Sequence, residues 1–245
     1  MASPECLKLI CDGDIEIVRI TEDLYDATIE LYQNYFMKYE NVSIACELLE
    51  SPQTINEMEQ LIRAILKDQI SFAARDVRTK QLVAMCINKI VNPSANITLD
   101  EVFDSFQTEN MKTVGDYLHY VEYTYDIAKE WQIECWIELT FLSTRSDYGR
   151  RGIALALAEY LLEYAKKLKD NDEEEIQKLP LAIKNQRPQA ITSAFTSKFS
   201  QKIGEKLNFE TLFDVENSHF EFRGKTFAEK IDPIHKYSRF AAKRL

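Results

Sequence analysis

The sequence predicts an α/β or α+β protein, a sheet covered by helices. Three observations predict it. Runs rich in β-branched and aromatic residues, such as IEIVRI (15–20) and CWIELTFLST (135–144), have strand length and strand patterning. Between them lie segments whose apolar residues recur at helical spacing, and strands interleaved with helices imply a helix-covered sheet. No internal repeat or low-complexity linker divides the 245 residues, so one domain over 1–245 is expected, long enough to bury a sizeable core.

The elements follow in order. IEIVRI alternates and reads as a strand. Residues 21–39 read as a helix with Thr21 as N-cap and Leu24, Thr28, Leu31 and Tyr35 along one side. A second helix spans 54–68, with Thr54 and Glu57 as a capping box and Ile55, Met58, Leu61, Ile62 and Ile65 in the buried stripe. SFAARD (71–76) and QLVAMCINKIV (81–91) are strands of a hairpin turned by VRTK. Residues 99–131 are helical in two pieces, the second covering 114–131. Its aromatic-rich end, HYVEYTYDIAKEW (119–131), reads as core, with Tyr120 or Tyr123 as candidates to line a pocket. Strand 135–144 leads to a helix over 150–169, carried by Ile153, Leu157, Leu161, Tyr164, Ala165 and Leu168. The acidic run 170–175 is expected to be a solvated loop, because acids disfavour a helix C-terminus. A short strand (179–184), a helix (189–207) and strands at 209–215 and 236–245 complete the reading.

Composition narrows the function classes. Net charge is −10, which argues against nonspecific nucleic-acid binding and is compatible with a cationic substrate. No apolar run approaches the roughly 18 residues of a membrane span. The first residues carry acids where a secretory signal needs an apolar core. Five scattered cysteines without C-x-x-C and three distant histidines argue against a structural zinc site or a disulfide framework. Reduced thiols in the cytoplasm are the simplest expectation.

One stretch carries chemistry. DYGRRGIALALAEYLLEYAKKLKD (147–170) places Gly149 and Gly152, two of only six glycines, around Arg150 and Arg151 where a helix begins. The first turn of a helix has free N–H groups and about half a positive charge. Glycine lets a phosphate approach such a backbone closely. The residues alone allow two readings, a plain turn and an anion cradle. There is no G-x-G-x-x-G, and RGKT (223–226) lacks the first glycine of a phosphate loop, His219 standing in its place.

YGRRGIA before an apolar helix resembles the acetyl-CoA signature R/Q-x-x-G-x-G/A of the GNAT superfamily of N-acetyltransferases. SQKIGEKLNFE (200–210) resembles the later segment of that family, which usually ends in LGF. FMKYEN (36–41), LSTRSDYGRRGIA (142–154) and TSKFSQKIGEKLNF (196–209) together are similar to the insect arylalkylamine (dopamine-type) N-acetyltransferases. The resemblance covers nearly the whole chain. It implies a GNAT fold, a central mixed twisted sheet of about seven strands with helices on both faces. It implies transfer of an acetyl group from acetyl-CoA, the cosubstrate, to a primary amine such as an arylalkylamine, in a ternary complex and without a metal.

The resemblance also implies roles. Leu142, Ser143 and Thr144 would hold the pantetheine arm through the backbone. Gly149, Arg150, Arg151, Gly152, Ile153 and Ala154 would hold the pyrophosphate. Glu40 matches a general base, suited to deprotonating an alkylammonium. Thr196 and Ser200 match two active-site hydroxyls, Ser200 being a candidate donor to the departing thiolate. Three positions depart from the pattern. Gly149 stands where the signature has Arg or Gln, Phe199 where related enzymes often have tyrosine, and Asn208 where LGF has glycine. Asn tolerates positive φ, so the last change is mild. Gly149 and Phe199 leave open a catalytically weakened CoA-binding or interaction protein. The sequence also leaves open another acceptor, a polyamine or a protein amine.

Overall fold

The computed structural model describes residues 4–245. Strands β1 (Cys6–Ile10) and β2 (Ile15–Arg19) come first. Helix α1 (Tyr25–Leu31), one turn of π-helix (Tyr32–Phe36), α2 (Asn41–Ala45) and α3 (Pro52–Leu66) follow. The hairpin β3 (Phe72–Asp76) and β4 (Leu82–Val91) leads to α4 (Asp100–Asp104), α5 (Glu109–Tyr123) and α6 (Ile127–Trp131). Next are β5 (Trp136–Thr144), α7 (Ile153–Lys169) and α8 (Glu173–Gln177). Then come β6 (Ala190–Phe195), α9 (Lys198–Lys206) and β7 (Glu210–Glu216). The chain closes with β8 (Glu221–Phe222), β9 (Lys225–Thr226), α10 (Phe227–Lys230) and β10 (Tyr237–Arg244).

Eight strands form one sheet in the order β1-β2-β3-β4-β5-β6-β10-β7, in which β5 and β6 are parallel and the other neighbours antiparallel. Side chains alternate between its two faces, as strand geometry requires. Val18, Ala73, Met85 and Ile87 turn to one face and pack with α1, α3 and α5. Ile17, Phe72, Ala74 and Cys86 turn to the other and pack with α7. Both faces are covered, which is why these strands are apolar almost throughout. No described helix is long and apolar enough to cross a membrane.

The sheet bears out the mixed α/β expectation with one strand more than about seven. Several local expectations are corrected. The long helix over 21–39 is instead a 3-10 turn, α1 and a π-turn, and Thr21 makes no capping bond to a backbone amide. Helix α3 starts at Pro52, and Ser51, not Thr54, caps it by accepting from the Thr54 amide. Proline is favoured at that first position because its missing N–H would be unpaired anyway. Glu57 is buried and accepts from the Thr108 hydroxyl and from the amides of Gln107 and Thr108. Residues 99–131 form three helices, not two.

Helix α7 starts at Ile153, not 150, because Arg150 and Gly152 have left-handed φ of 62° and 78°. The acidic run holds the first turn of α8, capped by Asp172, where the helix dipole favours acids. Its Glu175 is buried and pairs with Arg19 at 2.6 Å. Residues 179–184 form turns and no strand. The helix over 189–207 is instead β6 followed by α9. Residues 190–195 are almost fully buried between β5 and β10, so strand alternation is hidden, and the Ser197–Ser200 capping box starts the helix only afterwards.

Candidate active site

The site is built where two neighbouring strands part. The parallel pairing of β5 with β6 holds only at Ile137–Ile191 and Glu138–Thr192. Past it the Ser193 hydroxyl donates to the Leu139 carbonyl at 2.9 Å. On its other side β5 keeps its partners, with Leu142, Ser143 and Thr144 opposite Cys86, Met85 and Ala84. The register slips by one residue at Thr140, a bulge that bends β5 at the opening. Leu142 to Thr144 therefore have a free backbone edge facing the cleft. An extended amide-containing chain can pair with such an edge as a strand would.

The loop after β5 is fixed by side chains. Arg145 grips Asp147 with two hydrogen bonds of 2.8 and 3.1 Å and reaches Gln81. The Tyr148 hydroxyl donates to Asp76 at 3.0 Å, which holds the ring beside the turn. A Cβ at Gly149 would stand 3.0 Å from the Ser146 carbonyl, so the backbone closes too tightly there for a larger residue without a shift. The first backbone hydrogen bond of α7 is donated by Ala156 to Gly152 at 3.0 Å, and no side chain caps the helix. Among the described residues the amides of Arg150 to Leu155 find no acceptor. The open space around Gly152 leaves them accessible. Successive free amides at the head of a 17-residue helix fit a pyrophosphate in hydrogen bonding and in charge. Arg151 pairs with Asp14 at 3.1 Å, whereas exposed Arg150 makes no ion pair among the described residues.

Glu40 lies across the cleft. It is the N-cap of α2, a place where short side chains are the rule. One carboxylate oxygen accepts from the Val42 amide (2.9 Å) and the Thr196 hydroxyl (2.7 Å). The other accepts from the Ser43 amide (2.7 Å) and the Ser43 hydroxyl (2.9 Å). Four donors fill the capacity of a carboxylate and hold it in one orientation. Asn41 donates to the Thr196 carbonyl at 2.7 Å, so α2 is tied to the end of β6 twice. Ser200 is the third helical residue of α9 and exchanges hydrogen bonds with Ser197 of about 3 Å. Phe199 is exposed, with its ring edge against His235.

A cavity of about 90 Å³ is lined by Glu40, Thr196, Ser200 and Leu142, with Tyr32, Phe36 and Phe141 as an aromatic wall. The three rings pack together at 5.0–5.2 Å between centroids. The π-turn is what brings Tyr32 and Phe36 to this wall. Sequence reasoning missed several lining groups: Tyr32, Tyr117, Ser193, Glu122 and Glu138. The hydroxyls of Tyr32 and Tyr117 are buried, and neither meets hydrogen-bond geometry with a partner among the described residues, Ser43 and Ser238 being the hydroxyls beside them. Burial, reinforced by the charge of Glu40, holds the Tyr32 phenol well above its usual range. Burial and the neighbouring Glu138 raise Glu122, and burial raises Glu138. Nothing in the spacing of the sequence marked Glu122, which sits on α5 like any polar helix residue.

No protein-family model and no curated protein sequence matches the chain. Solved structures do. Arylalkylamine N-acetyltransferase 2 from Aedes aegypti superposes with a TM-score of 0.77 at 21% identity, over 94% of this chain and 99% of that one. The chain has the GNAT acetyltransferase fold. Mosquito arylalkylamine N-acetyltransferase like 5b follows with a TM-score of 0.74 at 17% identity, covering 94% of this chain and 100% of its own. A Drosophila melanogaster polyamine N-acetyltransferase, which forms N-acetylagmatine, gives 0.73 at 12% identity over 95% and 100%. In this chain Glu40, Thr196 and Leu142 line one cavity, and the free amides at the head of α7 follow the loop after β5.

Proposed function

We propose that the protein transfers an acetyl group from acetyl-CoA to a primary amine by direct attack in a ternary complex. The observation that carries this reading is the parting of β5 from β6, with the amide cradle at the loop that follows β5 and Glu40 bonded to Thr196 at the end of β6. The cradle of residues 150–155 would hold the pyrophosphate, and the free edge of Leu142 to Thr144 the pantetheine arm. That edge would bring the thioester beside the aromatic wall. Tyr32, Phe36 and Phe141 suit the ring or methylenes of an amine, so an arylalkylamine is a fitting acceptor.

An amine attacks only when neutral, so a proton must leave the ammonium. Glu40 has no vacant lone pair in this arrangement. Thr196 donates to it and still has lone pairs of its own. The amine proton would pass to the Thr196 oxygen, or to a water beside it, as the Thr196 proton moves to Glu40. The Ser200 proton is shared with the Ser197 carbonyl, and turning it to a leaving thiolate needs only rotation of the hydroxyl. Gly149 removes a long side chain from the signature, so binding of the anion rests on backbone amides and Arg150.

The test is release of free CoA from acetyl-CoA with a panel of primary amines. Turnover that depends on amine supports the reading. Protein that binds acetyl-CoA and turns over with no amine contradicts it and favours a CoA-binding protein without catalysis.

A further inference from the structure

Glu40 takes hydrogen bonds from two hydroxyls. Thr196 donates to one carboxylate oxygen at 2.7 Å and Ser43 to the other at 2.9 Å. Ser43 is 3% exposed, stands on α2 and lines the active-site cavity. Its amide already donates to the same oxygen at 2.7 Å, so capping of the helix does not require the hydroxyl. The additional bond acts on the charge, because donors to an ionised carboxylate favour its charged form. That matters in this cavity, where the rings of Tyr32, Phe36 and Phe141 are poor solvation for a charge.

Behind Ser43 is the Tyr32 hydroxyl. Tyr32 is fully buried, and Ser43 is the hydroxyl beside it. Burial first, and then the charge of Glu40, hold the phenol well above its usual range, so it keeps its proton and is a donor. Ser43 gives its own proton to Glu40 and has lone pairs free to accept one. Donors in a chain polarise one another, so a bond from Tyr32 strengthens what Ser43 does at Glu40. The other ionisable groups around Glu40 do not take the place of this pair. Cys46 at the end of α2 and Tyr117 of α5 are pushed up by burial and stay neutral. Glu122 of α5 and Glu138 of β5 line the same cavity and are raised by burial. Lys230 of α10 is turned to the other end of α2, where it donates to the Ala45 carbonyl at 3.0 Å and to Glu47 at 2.7 Å.

We propose that Ser43, with the Tyr32 hydroxyl donating to it, is a positioning residue that keeps Glu40 charged and turned toward Thr196. The pair sets the lowest pH at which the base acts. Its role in the reaction rests on the acetyl-transfer reading, whereas its effect on Glu40 rests on the hydrogen bonds alone.

The test is kcat for amine-dependent release of CoA, followed against pH in the wild type and in Ser43→Ala, Ser43→Thr and Tyr32→Phe. With one donor gone, the acid limb of Ser43→Ala should move up by about one pH unit, a roughly tenfold lower rate on that side. Ser43→Thr keeps the hydroxyl and should restore the limb. Tyr32→Phe keeps the ring on the aromatic wall and removes only its hydroxyl, so its limb should move the same way by less. The double variant should go no further than Ser43→Ala, because Tyr32 acts through Ser43. A limb unmoved in Ser43→Ala or in Tyr32→Phe, or a rate lowered equally at every pH, would overturn the inference. If the wild type acetylates no amine, the acetyl-transfer reading fails. The carboxyl carbon-13 signal of Glu40, assigned by its loss in Glu40→Gln, then decides the inference without activity. A titration midpoint higher in Ser43→Ala than in the wild type supports it, and equal midpoints remove it.

Discussion

At the residue scale, Arg150 and Arg151 are adjacent and differ in what they are free to do. Arg151 is engaged with Asp14 and its guanidinium lies 5.6 Å from the centre of the Tyr148 ring. Arg150 is held exposed at a left-handed φ of 62° with no ion-pair partner among the described residues. Arg150→Ala should therefore weaken acetyl-CoA binding more than Arg151→Ala. The loss should stay near fivefold or less, because an exposed ion pair contributes at most about 1 kcal/mol and salt screens it. Calorimetry at low and high salt checks this, and equal affinity in both variants and the wild type would leave the amides as the whole grip. The motif was legible in the sequence, whereas this difference was not. It depends on Asp14, which lies 137 positions away. The link between Glu40 and Thr196 spans 156 positions and was likewise invisible to spacing, although the resemblance named both residues.

At the scale of elements, the strands with free alternation or a clear turn were legible. The 15–20 strand, the 71–91 hairpin and the 135–144 strand lie where the pattern put them, because each is bounded by polar or turn-forming residues. β6 was not legible. AITSAF is buried by neighbours on both sides of the sheet and runs straight into a capped helix, so a helical period could be drawn through both. The junction of the two elements is held by Gly204. A Cβ there would lie 2.5 Å from Cε2 of Phe195, whose ring is buried and packs against Phe209. Gly204→Ala should lower Tm, since overpacking costs about 1–3 kcal/mol and outweighs the gain of up to ~1 kcal/mol in helix propensity. Phe195 also lines the amine cavity, so KM for amine should rise with it. A variant as stable as the wild type would show that the ring has room to move.

At the scale of the whole molecule, two sets of carboxylates give stability opposite dependences on pH. Burial alone would raise Glu16, but hydrogen bonds from Lys80 and Arg75 outweigh it and leave its pKa lowered. Glu57 behaves alike, through Thr108 and the Gln107 amide. Stability from such groups is present above the unfolded value of about 4.3 and is lost as pH falls through the folded one. Glu122 and Glu138 are raised by burial, and Glu122 further by its partner. The folded state then holds protons that the unfolded state has released. Their effect is neutral below about pH 4.3 and costs stability as pH rises toward their folded values. Tm should pass through a maximum in mildly acidic solution. The Glu122→Gln/Glu138→Gln variant should lose the decline on the alkaline side, measured by thermal melts across pH. An unchanged profile would mean that the pair is solvated. The two covered faces follow from patterning, whereas this pair arises only where Glu122 of α5 and Glu138 of β5 come together in the fold and belongs to no local pattern.

The central claim is that acetyl transfer in this cleft runs through Glu40, and the rate of amine-dependent CoA release by Glu40→Gln tests it most directly. Glutamine keeps acceptor capacity at one atom only and cannot take the proton relayed by Thr196. The variant should bind acetyl-CoA as the wild type does and lose about 10²-fold or more in kcat, the scale of general-base assistance. A folded Glu40→Gln protein with an unchanged kcat would contradict the account and take Glu40 out of the reaction.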